Sequence, residues 1–209
     1  VGASLRSRDT RDALGPQDGL YTLAVREDAG EDLIVIGSIL SLLVAPESPE
    51  ALLAALVDPR VRIVTLTITE KAYLRNAAGD LDAAHPDIVA DLADPARPKT
   101  AHGFIVEALA RRRAAGTPLF TVLSCDNLPN NGVTTGRVIT QFAALRDPDL
   151  GRFVTEEVAF PPSMVDRIVP ATTDADRARV SASLGVTDAW PVLTEPFMQW
   201  VVEDRFPAA

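Results

Sequence analysis

Cysteine occurs once in the 209 residues, at Cys125, so no disulfide can close within the chain. Secreted folds of this kind usually carry paired cysteines, and the expected setting is therefore a reducing cytoplasm. Lysine is almost as scarce, with Lys71 and Lys99 standing against 18 arginines, a skew that fits a GC-rich genome better than a mechanism. Histidine is confined to His85 and His102, neither with a second ligand at metal spacing, and no metal is expected. GxSxG, Walker A, HExxH and CxxC patterns are all missing, which leaves hydrolase readings little support. Basic residues are outnumbered, 20 Lys plus Arg against 29 Asp plus Glu, for a net charge of −9. Nucleic-acid backbones and anionic membranes select basic surfaces, so neither is expected as a partner. The longest apolar stretch, Leu33 to Ala45, is interrupted by Gly37, Ser38 and Ser41 and falls short of the roughly 20 residues that span a bilayer. No signal segment is expected either. What is present, 47% hydrophobic and 23% charged residues, excludes a disordered or fibrous chain.

The order of elements reads as α/β. Leu20 to Arg26 and Leu33 to Ser38 are short apolar runs separated by the polar loop Glu27 to Asp32, the pattern of an antiparallel hairpin. Ser48 and Pro49 are an N-cap and a first-turn proline for a helix over Ala51 to Val57. Val61 to Thr67 is β-branched and apolar, as in a central parallel strand buried on both faces. Between Asn76 and Lys99, His85-Pro86, Asp94-Pro95 and Arg97-Pro98 push the preceding residues out of helical conformation, so loops and brief helical turns are expected. Thr100 to Ala115 carries Phe104, Ile105, Ala108, Leu109 and Arg112 at helical spacing and stops at Gly116. Arg111 to Arg113 then sit beside the negative end of the helix dipole. Leu119 to Ser124 reads as a buried strand, Asn131 to Leu145 as a helix, and Leu150 to Val158 as another. Met164 to Val169 is strand-like, Thr173-Asp174 caps a helix through Leu184, and two extended segments follow, Trp190 to Leu193 and Phe197 to Val202. Alternating strands and helices specify a mainly parallel sheet.

In such a sheet ligands sit outside the carboxyl ends of the strands. The rule selects Ile68 to Lys71 and Cys125 to Gly132. Asp126, Asn127, Asn130 and Asn131 have two readings at this point: hydrogen-bonding groups for a polyhydroxylated ligand, or caps and turns of the following helix. Cys125 beside Asp126 reads as a buried structural thiol, since the carboxylate disfavours a thiolate. Glu70 and Lys71, adjacent on an extended segment, face opposite ways and form no relay. Asp166-Arg167, inside the apolar run Val165 to Val169, is either a structural ion pair or a ligand-facing pair.

Taken together, seven blocks resemble the polyol-specific long-chain dehydrogenases, the mannitol dehydrogenase family that also includes the fructuronate-reductase-like enzymes. They are LRSRD (Leu5 to Asp9), QDGLYTL (Gln17 to Leu23), TLTITEKAY (Thr65 to Tyr73), PKTAHGFIVEALARRRAAG (Pro98 to Gly116), FTVLSCDNLPNNG (Phe120 to Gly132), VAFPPSMVDRIVP (Val158 to Pro170) and EPFMQWVVEDRF (Glu195 to Phe206). The resemblance implies a Rossmann-type, doubly wound, mainly parallel sheet with an antiparallel hairpin, residues 1–209 forming part of an NAD-binding domain. By the family's plan the first strand and glycine-rich turn fall ahead of Val1, and the helical domain with its lysine base falls beyond Ala209. The isolated chain is therefore expected to be inactive.

The implied activity is hydride transfer between NAD and a secondary alcohol or ketone of a sugar alcohol, with no metal. Alternatives are a hexuronate (fructuronate or mannonate) reductase of the same family, or a catalytically silent nucleotide-binding module. Carried over block by block, Asp9 meets the ribose 2′-hydroxyl and Arg8 beside it admits NADP. Thr67, Thr69, Asp126 and Val165 fall on the cofactor side. Asn127 donates to the oxyanion and Asp166 lines the junction of cofactor and substrate. The expected partner is a small polyol or hexonate, and the expected state a monomer or weak oligomer.

Overall fold

The computed structural model describes residues 1–28 and 30–206. In chain order its elements are β1 (Gly2–Ser4), α1 (Asp9–Leu14), β2 (Tyr21–Glu27), β3 (Gly30–Ile36), β4 (Leu42–Val44), α2 (Pro49–Val57), β5 (Ile63–Leu66), α3 (Pro86–Ala93), α4 (Ala101–Ala115), β6 (Thr121–Ser124), α5 (Asn131–Arg146), α6 (Pro148–Glu157), β7 (Ser163–Asp166), α7 (Asp174–Leu184), β8 (Val192–Thr194) and β9 (Gln199–Val202). The pairings β1–β4, β2–β8 and β5–β6 are parallel, β2–β3 is antiparallel, and β7 lies beside β9. The α/β class and its mainly parallel pairing are as the sequence predicts. Two compact units result, Val1–Val44 with Asp166–Gln199, and Ala45–Val165 with the segment from Trp200 onward.

The first unit is built on the hairpin. Thr22 and Ala24 alternate inward along β2, and Ala24 packs against Val180 of α7 and Leu193 of β8, with Leu33 and Leu184 around them. α7 begins at the predicted cap, where Thr173 and Asp176 exchange side-chain-to-backbone hydrogen bonds at 3.2 and 3.1 Å, and it ends at Gly185. Asp188 ties the elements together by accepting the Thr22 N–H at 2.7 Å and the Gln17 amide at 2.9 Å. Burial opposes its ionisation, yet the hydrogen bonds from Gln17, Thr22 and Trp190 hold its carboxyl below the usual range. Two expectations change here. The hairpin turn is tighter than Glu27 to Asp32, because Glu27 already pairs with Gly30; Ala29 of that loop lies outside the described residues. Asp9 opens a short helix, α1, that the sequence reading leaves out.

In the second unit, caps again match the sequence. Ser48 Oγ accepts the Ala51 N–H at 3.2 Å to start α2, and Thr100 Oγ1 accepts the Gly103 N–H at 3.0 Å to start α4. Gly103 is required by a close approach: a Cβ there would lie 2.3 Å from the buried Asp91 carboxylate. That carboxylate accepts the Lys99 and Thr100 N–H groups at 2.8 and 2.9 Å. The proline-rich segment read as loops and brief helical turns contains a full helix of 8 residues, α3, which starts at Pro86. The residue that proline excludes from the helix, His85, becomes its cap by accepting the Asp87 N–H through Nδ1 at 3.2 Å. β5 is not a central strand buried on both faces, since its neighbour is β6 and Ile63 is 49% exposed. β-branched composition does not distinguish an edge from a centre.

Arg112, expected at helical spacing with the apolar residues of α4 and beside the negative end of its dipole, has a larger part in the structure. It is fully buried, and its guanidinium donates to the carbonyls of Leu56 at 2.8 Å, Asp58 at 2.5 Å and Val61 at 2.9 Å, and to that of Pro118. The Phe120 ring lies 4.8 Å beneath its carbon. The fork thus fastens α4 to the turn between α2 and β5, which decides where β5 begins.

His102 is buried in the first turn of α4, 6.3 Å from the Phe142 ring, and its Nδ1 has no partner. Burial lowers its pKa from 6.5 to about 4, against a smaller opposing effect of a backbone hydrogen bond with Tyr73. The unfolded chain therefore binds this proton more readily than the native one, and stability falls as pH drops from the unfolded value toward the folded one. The expected loss from this residue between about pH 7.5 and about pH 5 is about 2 kcal/mol. Urea unfolding at the two pH values measures it, and His102→Gln should flatten that part of the profile.

Candidate functional site at the strand ends

In the second unit, the parallel register sets Leu66 opposite Ser124, so β5 and β6 end side by side. The Cys125 N–H completes the ladder with a 2.8 Å bond to the Leu66 carbonyl. Beyond it the backbone turns sharply. Thr69 adopts φ 70° and ψ 156°, a region almost reserved for glycine and costing a β-branched residue about 1–3 kcal/mol. Asp126 compensates this strain directly. Its carboxylate accepts the Ile68 N–H at 3.1 Å, the Thr69 N–H at 3.0 Å and the Tyr73 hydroxyl at 2.8 Å. Tyr73 is 1% exposed and lies 2.6 Å from Ser124 Oγ. Burial, reinforced by the Asp126 charge, pushes its phenol far above the ordinary range, so it stays a donor.

A second clamp joins β6 to β7. Asn131, the buried first residue of α5, donates through Nδ2 to the carbonyls of Ser124 and Asp126, each at 3.1 Å, and approaches Ser163 Oγ at 3.2 Å; its Oδ1 accepts the Ser163 N–H at 2.8 Å. The next residue must be glycine, because a Cβ at Gly132 would stand 2.4 Å from the Pro162 nitrogen. Of the two readings left open for the Asp and Asn residues, Asp126 and Asn131 bond to the chain itself, whereas Asn127 is exposed. Cys125 is half-buried rather than buried, with a thiol pushed up by burial and by Asp126.

The predicted positions are thus distributed. Thr67, Thr69 and Asn127 lie exposed where β5 and β6 end, with Asp126 half-buried beneath them and Val165 half-buried on β7. Asp166 is exposed at the end of β7 and forms no ion pair with Arg167, whose guanidinium donates to the Glu195 carbonyl at 3.1 and 3.2 Å. In the first unit, Asp9 is exposed at the start of α1 and accepts the Ser7 hydroxyl at 2.8 Å. Arg8 lies along the same helix, 3.1 Å from Asp12. A cleft of about 570 Å³ follows Thr69 directly, lined by Glu70, Lys71, Leu74, Arg75, Asn76 and His85. Tyr73, Ser124 and Ser163 fall in the strands and blocks of the sequence reading but are not among its site residues; nothing in their local spacing announces a partner 51 or 39 residues away. Among the described residues no helix is long and apolar enough to cross a membrane.

Parallel strands ending in a polar, clamped rim are the arrangement of a Rossmann-type domain. The profile of the mannitol dehydrogenase Rossmann domain matches residues 1–209, and the chain belongs to that family. It is similar to mannitol 2-dehydrogenase of Aspergillus terreus, 49% identical over 94% of this chain and 40% of the relative. Mannitol 2-dehydrogenase of Cereibacter sphaeroides is 47% identical over 100% of this chain and 44% of its own length. Among solved structures, the ternary complex of Pseudomonas fluorescens mannitol 2-dehydrogenase with NAD and D-mannitol matches with a TM-score of 0.95 and 48% identity, over 98% of this chain and 42% of that one. A substrate-free D-sorbitol dehydrogenase matches with a TM-score of 0.94 and 40% identity, over 98% of this chain and 44% of that one. The chain spans about two fifths of the length of these relatives.

Proposed function

We propose that the chain is the NAD-binding part of an oxidoreductase that transfers hydride between a nicotinamide and a secondary alcohol or ketone of a sugar alcohol. The observation that carries the reading is the fit, at a TM-score of 0.95, to a relative solved with NAD and D-mannitol. The reading assigns residues 1–209 to the cofactor domain and leaves the lysine base to chain outside them. It places the protein in a reducing cytoplasm.

The exposed residues suit the roles proposed for them. The Asp9 carboxylate, free on one side at the start of α1, would bind a ribose diol and repel a 2′-phosphate. Thr67 and Thr69 would meet the cofactor at the strand ends, and Val165 would meet it from β7. Asn127 would donate through Nδ2 to the substrate oxygen as negative charge develops there. Asp166 would face the substrate from the end of β7. The nicotinamide, when bound, supplies the hydride acceptor, and no metal is called for.

The test is NADH formation by the full-length protein offered mannitol, arabinitol or mannonate, each with NAD and NADP. Turnover of a polyol with NAD is expected. Mannonate oxidation would move the substrate to the hexonates, and absence of both turnover and stabilisation by NAD would overturn the reading. Saturation at 100 times Kd should stabilise by about 2.7 kcal/mol, a shift visible in a melt. Within the same assay, Asp9→Ala should lower the preference for NAD over NADP by about tenfold, the worth of one charged hydrogen bond. Arg8→Ala should reduce whatever NADP activity remains.

A further inference from the structure

The strain at Thr69 persists because the surroundings over-determine it. The Asp126 carboxylate holds the Ile68 and Thr69 N–H groups at 3.1 and 3.0 Å, and is itself held by the Tyr73 hydroxyl at 2.8 Å. Tyr73 belongs to the short turn Glu70–Tyr73 that Thr69 opens. The bonds therefore close a ring: from the amides to the carboxylate, to the phenol, and back along four residues of chain. Both Asp126 oxygens are engaged by the chain's own donors, and through those bonds the carboxylate sets the conformation of Thr69.

We propose that Tyr73 is a positioning residue for the cofactor: its hydroxyl fixes the Asp126 carboxylate, which holds the Thr69 backbone in the conformation that presents Thr67 and Thr69 at the rim. This rests on the reading that a nicotinamide dinucleotide binds at the ends of β5 and β6. Tyr73→Phe deletes one hydroxyl and keeps the ring. In the full-length protein it should raise the Kd for NAD about tenfold, as expected for a lost bond to a charged group. The same change in a Thr69→Gly background should raise Kd less than about twofold, because glycine adopts this φ without a clamp.

A tyrosine needed merely for folding would weaken binding in both backgrounds alike, in step with a lowered melting temperature. Equal losses in both backgrounds, or no loss in either, overturn the proposal. Asp126→Asn supplies a second route to the same double-mutant comparison if Tyr73→Phe folds poorly, with the same dependence on background expected. A first titration of the unsubstituted protein separates the two failures: if it binds no NAD, the functional reading fails and the proposal falls with it.

Discussion

Replacing Arg112 with methionine should cost the second unit roughly 3–5 kcal/mol, enough to unfold it under mild conditions. Methionine matches the length of the stem, so little packing volume is lost and the effect isolates the guanidinium. What remains is the buried Leu56 carbonyl and the partly buried carbonyls of Val61 and Pro118, which lose this donor together, while that of Asp58 keeps the Val61 N–H at 3.0 Å. Each orphaned carbonyl costs about 1–3 kcal/mol, reduced by whatever relaxation lets water in. Arg112→Lys should recover only a small part of this, because one ammonium cannot reproduce a planar fork reaching four acceptors. Burial also lowers the Arg112 pKa, but from so high a value that the group remains charged. Urea denaturation followed by circular dichroism measures the loss; a change below about 1 kcal/mol would mean that the carbonyls find other donors.

Asn127→Ala should lower kcat of the full-length protein by roughly 100- to 1000-fold, the usual effect of deleting one preorganised oxyanion donor. KM for the polyol should change far less, since the donor acts most strongly as charge develops. Stability should be unaffected, because Asn127 is exposed and the clamps beneath it are made by Asp126 and Asn131. Asn127→Asp is the stricter variant: it keeps the shape, exchanges the donor for an acceptor and adds a charge where negative charge must form. It should be at least as damaging as alanine. Equal kcat values for the native and alanine proteins would remove Asn127 from the chemistry.

Much of the fold is legible in the sequence because local signals decide it. Ser48 with Pro49, Thr100 with Gly116, and Thr173 with Gly185 mark the limits of α2, α4 and α7 through capping bonds made within a few residues. α3 is longer than the brief helical turns expected because proline carries two messages, one for the residue before it and one for the helix after it. The central placing of β5 fails, and the anchoring of Arg112 goes unread, for a different reason: both depend on partners far away in sequence, such as β6 beside β5 and the Leu56 carbonyl below Arg112.

The candidate site divides in the same way. The strand-end rule and the family blocks lead to Thr67, Thr69, Asp126 and Asn127 without a structure. Neither indicates that Asp126 faces the Thr69 amide, that Tyr73 secures it, or that Asn131 carries β7 to the end of β6. Those bonds span from 32 to 57 residues, and composition holds no record of them.

The pairing of Leu23 with Val192 across β2 and β8 sets an order of events during synthesis. The hairpin precedes by far the strand that covers its other edge, since Leu23 and its partner Val192 are 169 residues apart. The long stretch of the second unit, Ala45 to Val165, can pack while the ribosome is still extending the chain, with β9 added beside β7 afterwards. Until β8 arrives, one edge of β2 presents unpaired N–H and C=O groups beside apolar side chains, the kind of template that recruits other strands. The nascent protein should therefore depend most on chaperone protection in the interval after α6 is complete and before Thr194 leaves the exit tunnel.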